Sequence, residues 1–145
     1  MLRRLGQRLA VVAASVAGLA ALTITPAHAV TPSGLCGTGY SQIDSHVFTN
    51  GSVEFARIYL LYNTGNGYNC VVTLHSSATG GMPLTTGAWL DVANDGKGQA
   101  KDQSVYSSYA GPVRLYAGNT CVRWGGMIEA GVSTFTYTSP WEHCG

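Results

Sequence analysis

From Tyr40 onward, short runs of alternating apolar and polar residues are separated by segments rich in glycine and asparagine. Such alternation is typical of β-strands, because successive side chains point to opposite faces of a sheet. Helical periodicity is scarce and turn residues recur about every ten positions, which favours a small all-β sandwich or barrel of hairpins. The pattern predicts eight strands, at residues 40–48, 53–62, 68–74, 87–92, 99–107, 113–116, 120–124 and 132–137.

The clearest predicted hairpin lies between residues 60 and 74, around the polar segment at residues 63–67. Asparagine and glycine accept the positive φ angles that tight hairpin turns require. The flanking strands carry apolar residues on both faces, which indicates a place near the middle of the sandwich. We interpret the segment as a turn. A ligand-binding loop is the alternative, because Tyr62 and Tyr68 flank it.

A second hairpin is predicted between residues 89 and 102, with its turn at residues 94–98. The same stretch can be aligned with a calcium-binding loop through Asp91, Asp95, Gly96 and Asp102. However, Ala93 occupies a ligand position without a side-chain oxygen, and no helical pattern flanks the loop. The sequence therefore favours a plain turn over a calcium site.

The N-terminus resembles an export signal. Arg3, Arg4 and Arg8 precede an apolar run, and Ala27 and Ala29 supply the A-x-A pattern of a cleavage site. Residues 1–29 are thus predicted to be a secretory signal peptide, and residues 30–145 a single exported domain. The general secretory route fits better than the twin-arginine route, because the residues that usually flank a twin-arginine pair are missing.

Charge and hydropathy limit the classes of partner that the protein is expected to bind. Removal of the signal peptide would leave five basic and seven acidic residues, a net charge of −2 with histidine neutral. A nucleic-acid-binding surface needs a basic face, so nucleic acid is not an expected partner. No apolar stretch after residue 29 reaches the roughly 20 residues of a membrane-spanning helix, so no membrane span is expected.

All four cysteines, Cys36, Cys70, Cys121 and Cys144, lie in the predicted exported domain. An even number in a small exported chain predicts two disulfides. Zinc ligation is disfavoured because the chain has no C-x-x-C motif. Three pairings are open. We favour Cys36 with Cys144, joining the two ends of the domain, and Cys70 with Cys121, joining two strands.

The histidines supply one candidate cluster. Asp44 and His46 are two residues apart and should share one face of a strand. Glu142 and His143 lie beside Cys144, so a Cys36–Cys144 bridge would bring all four side chains together. We interpret them as a structural polar cluster. A metal site or an acid–base pair is the alternative, and neither a metal nor a cofactor is predicted.

Motifs for catalysis are missing. The chain contains neither the G-x-S-x-G nor the H-E-x-x-H pattern, and oxidised thiols would not be nucleophiles. The sequence therefore predicts no catalytic residues and a protein that is not an enzyme. A small hydrolase using His46 and His143 is a weaker alternative. So is a protease inhibitor using residues 78–84, a segment that no neighbouring cysteine braces.

Aromatic residues are more informative, because the chain holds three tryptophans and eight tyrosines. Core packing and cross-strand pairing would explain most of them. A row of exposed rings would instead suit stacking on sugars and indicate a glycan-binding module. The residues chosen for that role are Trp124, Trp141, Tyr62 and Tyr68.

Seven segments resemble one known family. They are CGTGY at residues 36–40, IDSH at 43–46, YLLYN at 59–63, GNGYNCVVTL at 65–74, YAGPV at 109–113, CVRWGG at 121–126 and SPWEHCG at 139–145. Together they resemble spore-associated protein A, a family of small exported proteins of sporulating, filamentous actinomycetes. Residues 76–105 and 127–132 match more loosely.

The resemblance implies a secreted protein of the spore or aerial-filament surface, with no defined biochemical activity and no catalytic residues to transfer. It favours a structural or binding role, with wall glycans or other surface proteins as partners. Two disulfides in a compact β domain would also help such a protein to resist drying and proteolysis.

Overall fold

A computed structural model describes residues 29–145 of the chain. The predicted signal peptide lies, apart from Ala29, outside the described residues. A short helix, α1 (Pro32–Cys36), precedes eight strands, namely β1 (Tyr40–Asn50), β2 (Val53–Asn63), β3 (Tyr68–His75), β4 (Leu84–Val92), β5 (Ala100–Tyr106), β6 (Tyr109–Tyr116), β7 (Val122–Ala130) and β8 (Ser133–Thr138). All eight predicted strands are confirmed in order, although β6 begins earlier and β7 ends later than predicted.

The strands form two four-stranded sheets, β1-β2-β3-β6 and β5-β4-β7-β8, in which every pair is antiparallel. The all-β sandwich predicted from the alternation is therefore confirmed. One core fills the space between the sheets, and its fully buried members come from both, including Ile58 and Leu60 of β2, Val71 of β3, Leu90 of β4 and Trp124 of β7.

Both predicted hairpins are present. β2 pairs with β3 around a turn in which Asn63 Oδ1 accepts a hydrogen bond from Gly65 N at 2.9 Å and Asn63 O accepts one from Gly67 N at 2.8 Å. β4 pairs with β5, and Asp95 Oδ1 accepts from Lys97 N at 2.8 Å in their connection. These asparagine and aspartate side chains act within the turns, as the plain-turn interpretation requires.

Helix α1 was not predicted, because five residues are too few to show helical periodicity. Its N-terminus is capped by Thr31, whose Oγ1 accepts a hydrogen bond from Gly34 N, and Pro32 occupies the first turn. The helix covers the outer face of the first sheet, where Cys36 packs with Leu61 and Val72. Within residues 29–145, no helix is long and apolar enough to cross a membrane.

The favoured disulfide pairing is wrong. The bridges are Cys36–Cys70 and Cys121–Cys144, not Cys36–Cys144 and Cys70–Cys121. Cys70 lies on the outer face of the first sheet, directly under α1, so its partner is the cysteine that ends the helix. Cys121 lies just before β7 of the second sheet, where the chain after β8 folds back beside it. Each bridge therefore ties a terminal segment to one sheet, and neither connects the two sheets.

The edge strands β1 and β8 lie on the same side of the sandwich, and their side chains close it. His46 of β1 stacks on Tyr137 of β8, with ring centroids 3.7 Å apart and planes 6° from parallel. Phe48 and Phe135 meet further along the same strands at 6.2 Å. This contact brings the beginning of β1 close to the segment that follows β8.

Candidate functional site

The segment after β8 is held against β7 by three kinds of interaction. Val122 and Glu142 exchange two backbone hydrogen bonds, of 2.8 and 2.9 Å. The Trp124 indole Nε1 donates to Glu142 Oε1 at 2.7 Å. The Cys121–Cys144 disulfide follows two residues later. Glu142 and His143 therefore have fixed positions although they lie outside any strand.

Three of the four predicted cluster residues come together there. His143 Nε2 lies 3.0 Å from Asp44 Oδ2, and Asp44, Glu142 and His143 each offer a donor atom within 4.8 Å of the others. From sequence alone these residues were expected to meet through a Cys36–Cys144 bridge, which is not one of the two disulfides. The actual cause is the pairing of Glu142 with Val122, together with the contact between the β1 and β8 edges.

His46 lies beside the cluster but is not one of its members. It shares a face with Asp44, because the two residues lie opposite Ile58 and Leu60 of β2, both of which point into the core. Its ring instead stacks on the ring of Tyr137. Burial lowers the pKa of His46 below its usual value, which favours the neutral imidazole in this position.

The charges of the cluster are unbalanced. Among residues 29–145, neither Asp44 nor Glu142 forms an ion pair with lysine or arginine. Arg123, which follows the Val122 that pairs with Glu142, is itself paired with Asp91 at 2.9 Å and lies over the Trp141 ring. Burial raises the pKa of Tyr137, and the negative charges of Glu142 and Asp44 raise it further. The cluster is thus a small negative site whose one basic member is His143.

A cleft of about 490 Å³ opens next to the cluster, at the same end of the sandwich. Its walls come from β1, β2 and β3, from the β6–β7 connection and from the C-terminal segment, and include Ile43, Tyr62, Asn69, Asn119, His143 and Gly145. Ile43 is the extra residue of a β-bulge in β1, and 41% of it is exposed. The cleft therefore combines an apolar side chain, an aromatic ring and polar groups, as ligand-binding sites do.

Asn69 is the unusual residue of this cleft. Only 3% of it is exposed, and its side chain points inward from β3 and lines the cleft. Within residues 29–145, the buried side-chain groups left without a partner are Trp89 Nε1 and Arg123 Nε. Asn69 alternates with Val71 and Thr73 on the inward face of β3, and it was not among the site residues predicted from sequence.

A second cleft, of about 520 Å³, lies on the outer face of the first sheet near the β1–β2 turn. Its polar groups already have partners. Arg57 binds Glu54 through two nitrogens, and His75 contacts Thr79 O at 3.2 Å and Thr86 Oγ1 at 2.7 Å. Burial lowers the pKa of His75, opposed by its contact with the Thr79 carbonyl. This cleft therefore offers less to a ligand than the one at Asn69.

The four aromatic residues chosen as glycan contacts do not form one surface. Trp124 is wrong for that role, because β7 is an inner strand and the ring is 1% exposed. Tyr62 lies opposite Asn69 and lines the cleft, whereas Tyr68 lies on the outer face in an edge-to-face pair with Tyr116. Trp141 is 44% exposed and stacks with Arg123. Only Tyr62 borders the cleft.

The carboxylates of the alternative calcium loop have separate partners. Asp91 pairs with Arg123, and Asp102 accepts hydrogen bonds from the Tyr106 hydroxyl and from Gly111 N, both at 2.6 Å. Asp95 accepts a hydrogen bond from Lys97 N within the β4–β5 turn. The three carboxylates do not converge.

Comparison with known proteins supplies one relative. Spore-associated protein A of Streptomyces coelicolor is 36% identical over 133 residues, which cover 88% of this chain and 81% of that protein. No family model matches the chain, and no solved structure matches it.

Proposed function

Because the chain belongs to the spore-associated protein A family, we propose that it is a secreted protein of the spore surface that binds a wall component and catalyses no reaction. The name of the Streptomyces coelicolor relative records association with spores, and the family supports a spore-related location for this chain. Its secretion, its position on the outer surface and its binding role go beyond what that name records and belong to our proposal.

The surroundings of the histidines support binding over catalysis. A hydrolytic nucleophile is usually an accessible serine, cysteine or threonine within hydrogen-bond reach of a base. In the described part of the chain, the hydroxyl that contacts a histidine is that of Thr86, which is 0% exposed. The two disulfides together contain all four cysteines, so none of the described residues has a free thiol. A substrate would therefore meet no activated nucleophile at these positions.

The observation that carries the binding proposal is an open cleft lined by the amide side chain of Asn69 together with Tyr62 and Ile43. An amide both donates and accepts, so it matches the hydroxyl and acetamido groups of wall glycans. The ring of Tyr62 and the side chain of Ile43 offer the apolar contact that a sugar ring needs. We therefore infer that the ligand is a wall glycan, bound at Asn69.

Surface association is tested by fractionating spores. We expect a mild detergent wash of intact spores to release most of the protein, because binding to a wall component would hold it by noncovalent contacts. The protein is quantified in the wash, the spore residue and the medium, with a cytosolic protein measured as the control for lysis. Recovery from the medium alone would contradict the proposed location.

The glycan site is tested with Asn69→Ala. We expect retention on insoluble peptidoglycan and chitin to fall about tenfold or more, because one buried hydrogen bond to the ligand is lost. The free energy of unfolding should change by about 1 kcal/mol or less, because the side chain borders an open cleft and its replacement by alanine leaves no closed cavity. Binding is measured by cosedimentation and stability by denaturant titration.

Asn50→Ala is the matched control for this variant. Asn50 is an exposed asparagine at the opposite end of β1, far from the cleft in register, so its replacement should change neither retention nor stability. Equal retention of wild type and Asn69→Ala would reject the cleft as the glycan site. The proposed surface location would not be affected, because the spore fractionation tests it separately.

A further inference from the structure

The geometry of Asp44, Glu142 and His143 points to a metal site, and we propose that these three residues bind a divalent transition-metal cation, with Zn²⁺ the best match. The sequence analysis predicted no metal. The inference goes beyond the proposed glycan binding and does not depend on it.

The donor set fits zinc. Protein zinc sites use imidazole nitrogen and carboxylate oxygen at about 2.0–2.2 Å, which places neighbouring donors of a tetrahedron about 3.4 Å apart. Here His143 Nε2 and Asp44 Oδ2 are 3.0 Å apart, and all three donor atoms lie within 4.8 Å of one another. Because the set includes an imidazole, it favours zinc over magnesium or calcium, which prefer oxygen ligands.

Each carboxylate is already oriented by one hydrogen bond. Asp44 Oδ1 accepts from Ser45 N at 2.7 Å, and Glu142 Oε1 accepts from the Trp124 indole at 2.7 Å. One oxygen of each carboxylate thus has a protein donor, and Asp44 Oδ2 faces His143 Nε2 at 3.0 Å. Outer hydrogen bonds of this kind are regular partners of metal-binding carboxylates, because they fix the ligand in place before the metal arrives.

The backbone also fixes the ligands before binding. Glu142 is paired with Val122 in both directions, and Cys144 is bridged to Cys121, so His143 lies between two anchored residues. Asp44 belongs to β1, which is paired along its length with β2. Two carboxylates without a lysine or arginine partner in residues 29–145 leave a negative site that a cation would balance.

The cluster is open to solvent. The side chains of His143 and Asp44 are 29% and 39% exposed, so a metal can enter and a water can fill a fourth position. This arrangement has three protein ligands and one open position. His143 also lines the Asn69 cleft, but Asn69 itself is not within the donor set.

The test is calorimetric titration of Zn²⁺ into the EDTA-treated protein, purified without a histidine tag. We expect one Zn²⁺ per chain, and binding that Asp44→Asn or His143→Gln weakens by about tenfold or more. Glu129→Gln is the matched control, since Glu129 is an exposed carboxylate of β7 outside the cluster. It should bind Zn²⁺ as the wild type does.

A second measurement does not depend on how the variants fold. Zn²⁺ at about 100 times its dissociation constant should raise the thermal midpoint of the wild type by roughly 10 °C, whereas Mg²⁺ at the same concentration should not. Absence of a zinc-dependent shift would overturn the proposal. So would binding that Asp44→Asn and His143→Gln leave unchanged, because the metal would then lie elsewhere on the chain.

Discussion

Replacing Cys121 and Cys144 together with alanine is expected to lower the free energy of unfolding by about 3 kcal/mol and to abolish zinc binding at the proposed site. The bridge closes a loop of 23 residues, and the chain-entropy model gives this magnitude for a loop of that length. Zinc binding should be lost because the segment carrying Glu142 and His143 would then be held to β7 mainly by the Val122–Glu142 pairing. Denaturant titration and calorimetry measure the two effects.

Replacing Cys36 and Cys70 with alanine is the matched control. That bridge closes a loop of 34 residues, so its removal should lower the free energy of unfolding by about 4 kcal/mol. It ties α1 to the outer face of the first sheet, away from the cluster, so zinc binding should persist. Alanine is preferred to reduction, since free thiolates would bind zinc themselves. If both double variants keep zinc binding equally, the C-terminal disulfide does not hold the metal ligands in place.

Trp124→Ala is expected to lower the free energy of unfolding by about 3–5 kcal/mol, the usual range for removing a buried tryptophan. Its ring is 1% exposed within the core between the sheets, so alanine would leave a large cavity. The variant would also leave Glu142 without its indole donor. Chemical denaturation followed by circular dichroism measures the loss.

Two variants separate packing from the hydrogen bond. Trp141→Ala should cost less than about 1 kcal/mol, because that residue is 44% exposed and its ring makes a surface cation–π interaction with Arg123. Trp124→Phe should keep much of the packing and still weaken zinc binding about tenfold, because Glu142 loses its orienting donor. A stability loss from Trp141→Ala as large as that from Trp124→Ala would contradict the burial described here.

The candidate site was only partly accessible to sequence reasoning. Asp44, Glu142 and His143 were chosen because their residue types suit one another, and that choice does not require knowing the fold. The reason offered for their meeting was wrong, since it depended on a Cys36–Cys144 bridge. Asn69 was not chosen, because one asparagine next to a predicted turn gives no sign that its side chain points inward and lines a cleft.

The sequence by itself determined the strands, the two hairpins and the all-β class, because alternation and turn residues are properties of neighbouring positions. It also determined that the thiols would pair, but not how, since four cysteines allow three pairings. Only the tertiary structure decided that Cys36 meets Cys70 under α1, that Trp124 is buried and that Asp44 reaches His143. Each of these depends on which elements pack together in space, and a local pattern contains no information on contacts between positions far apart in the chain.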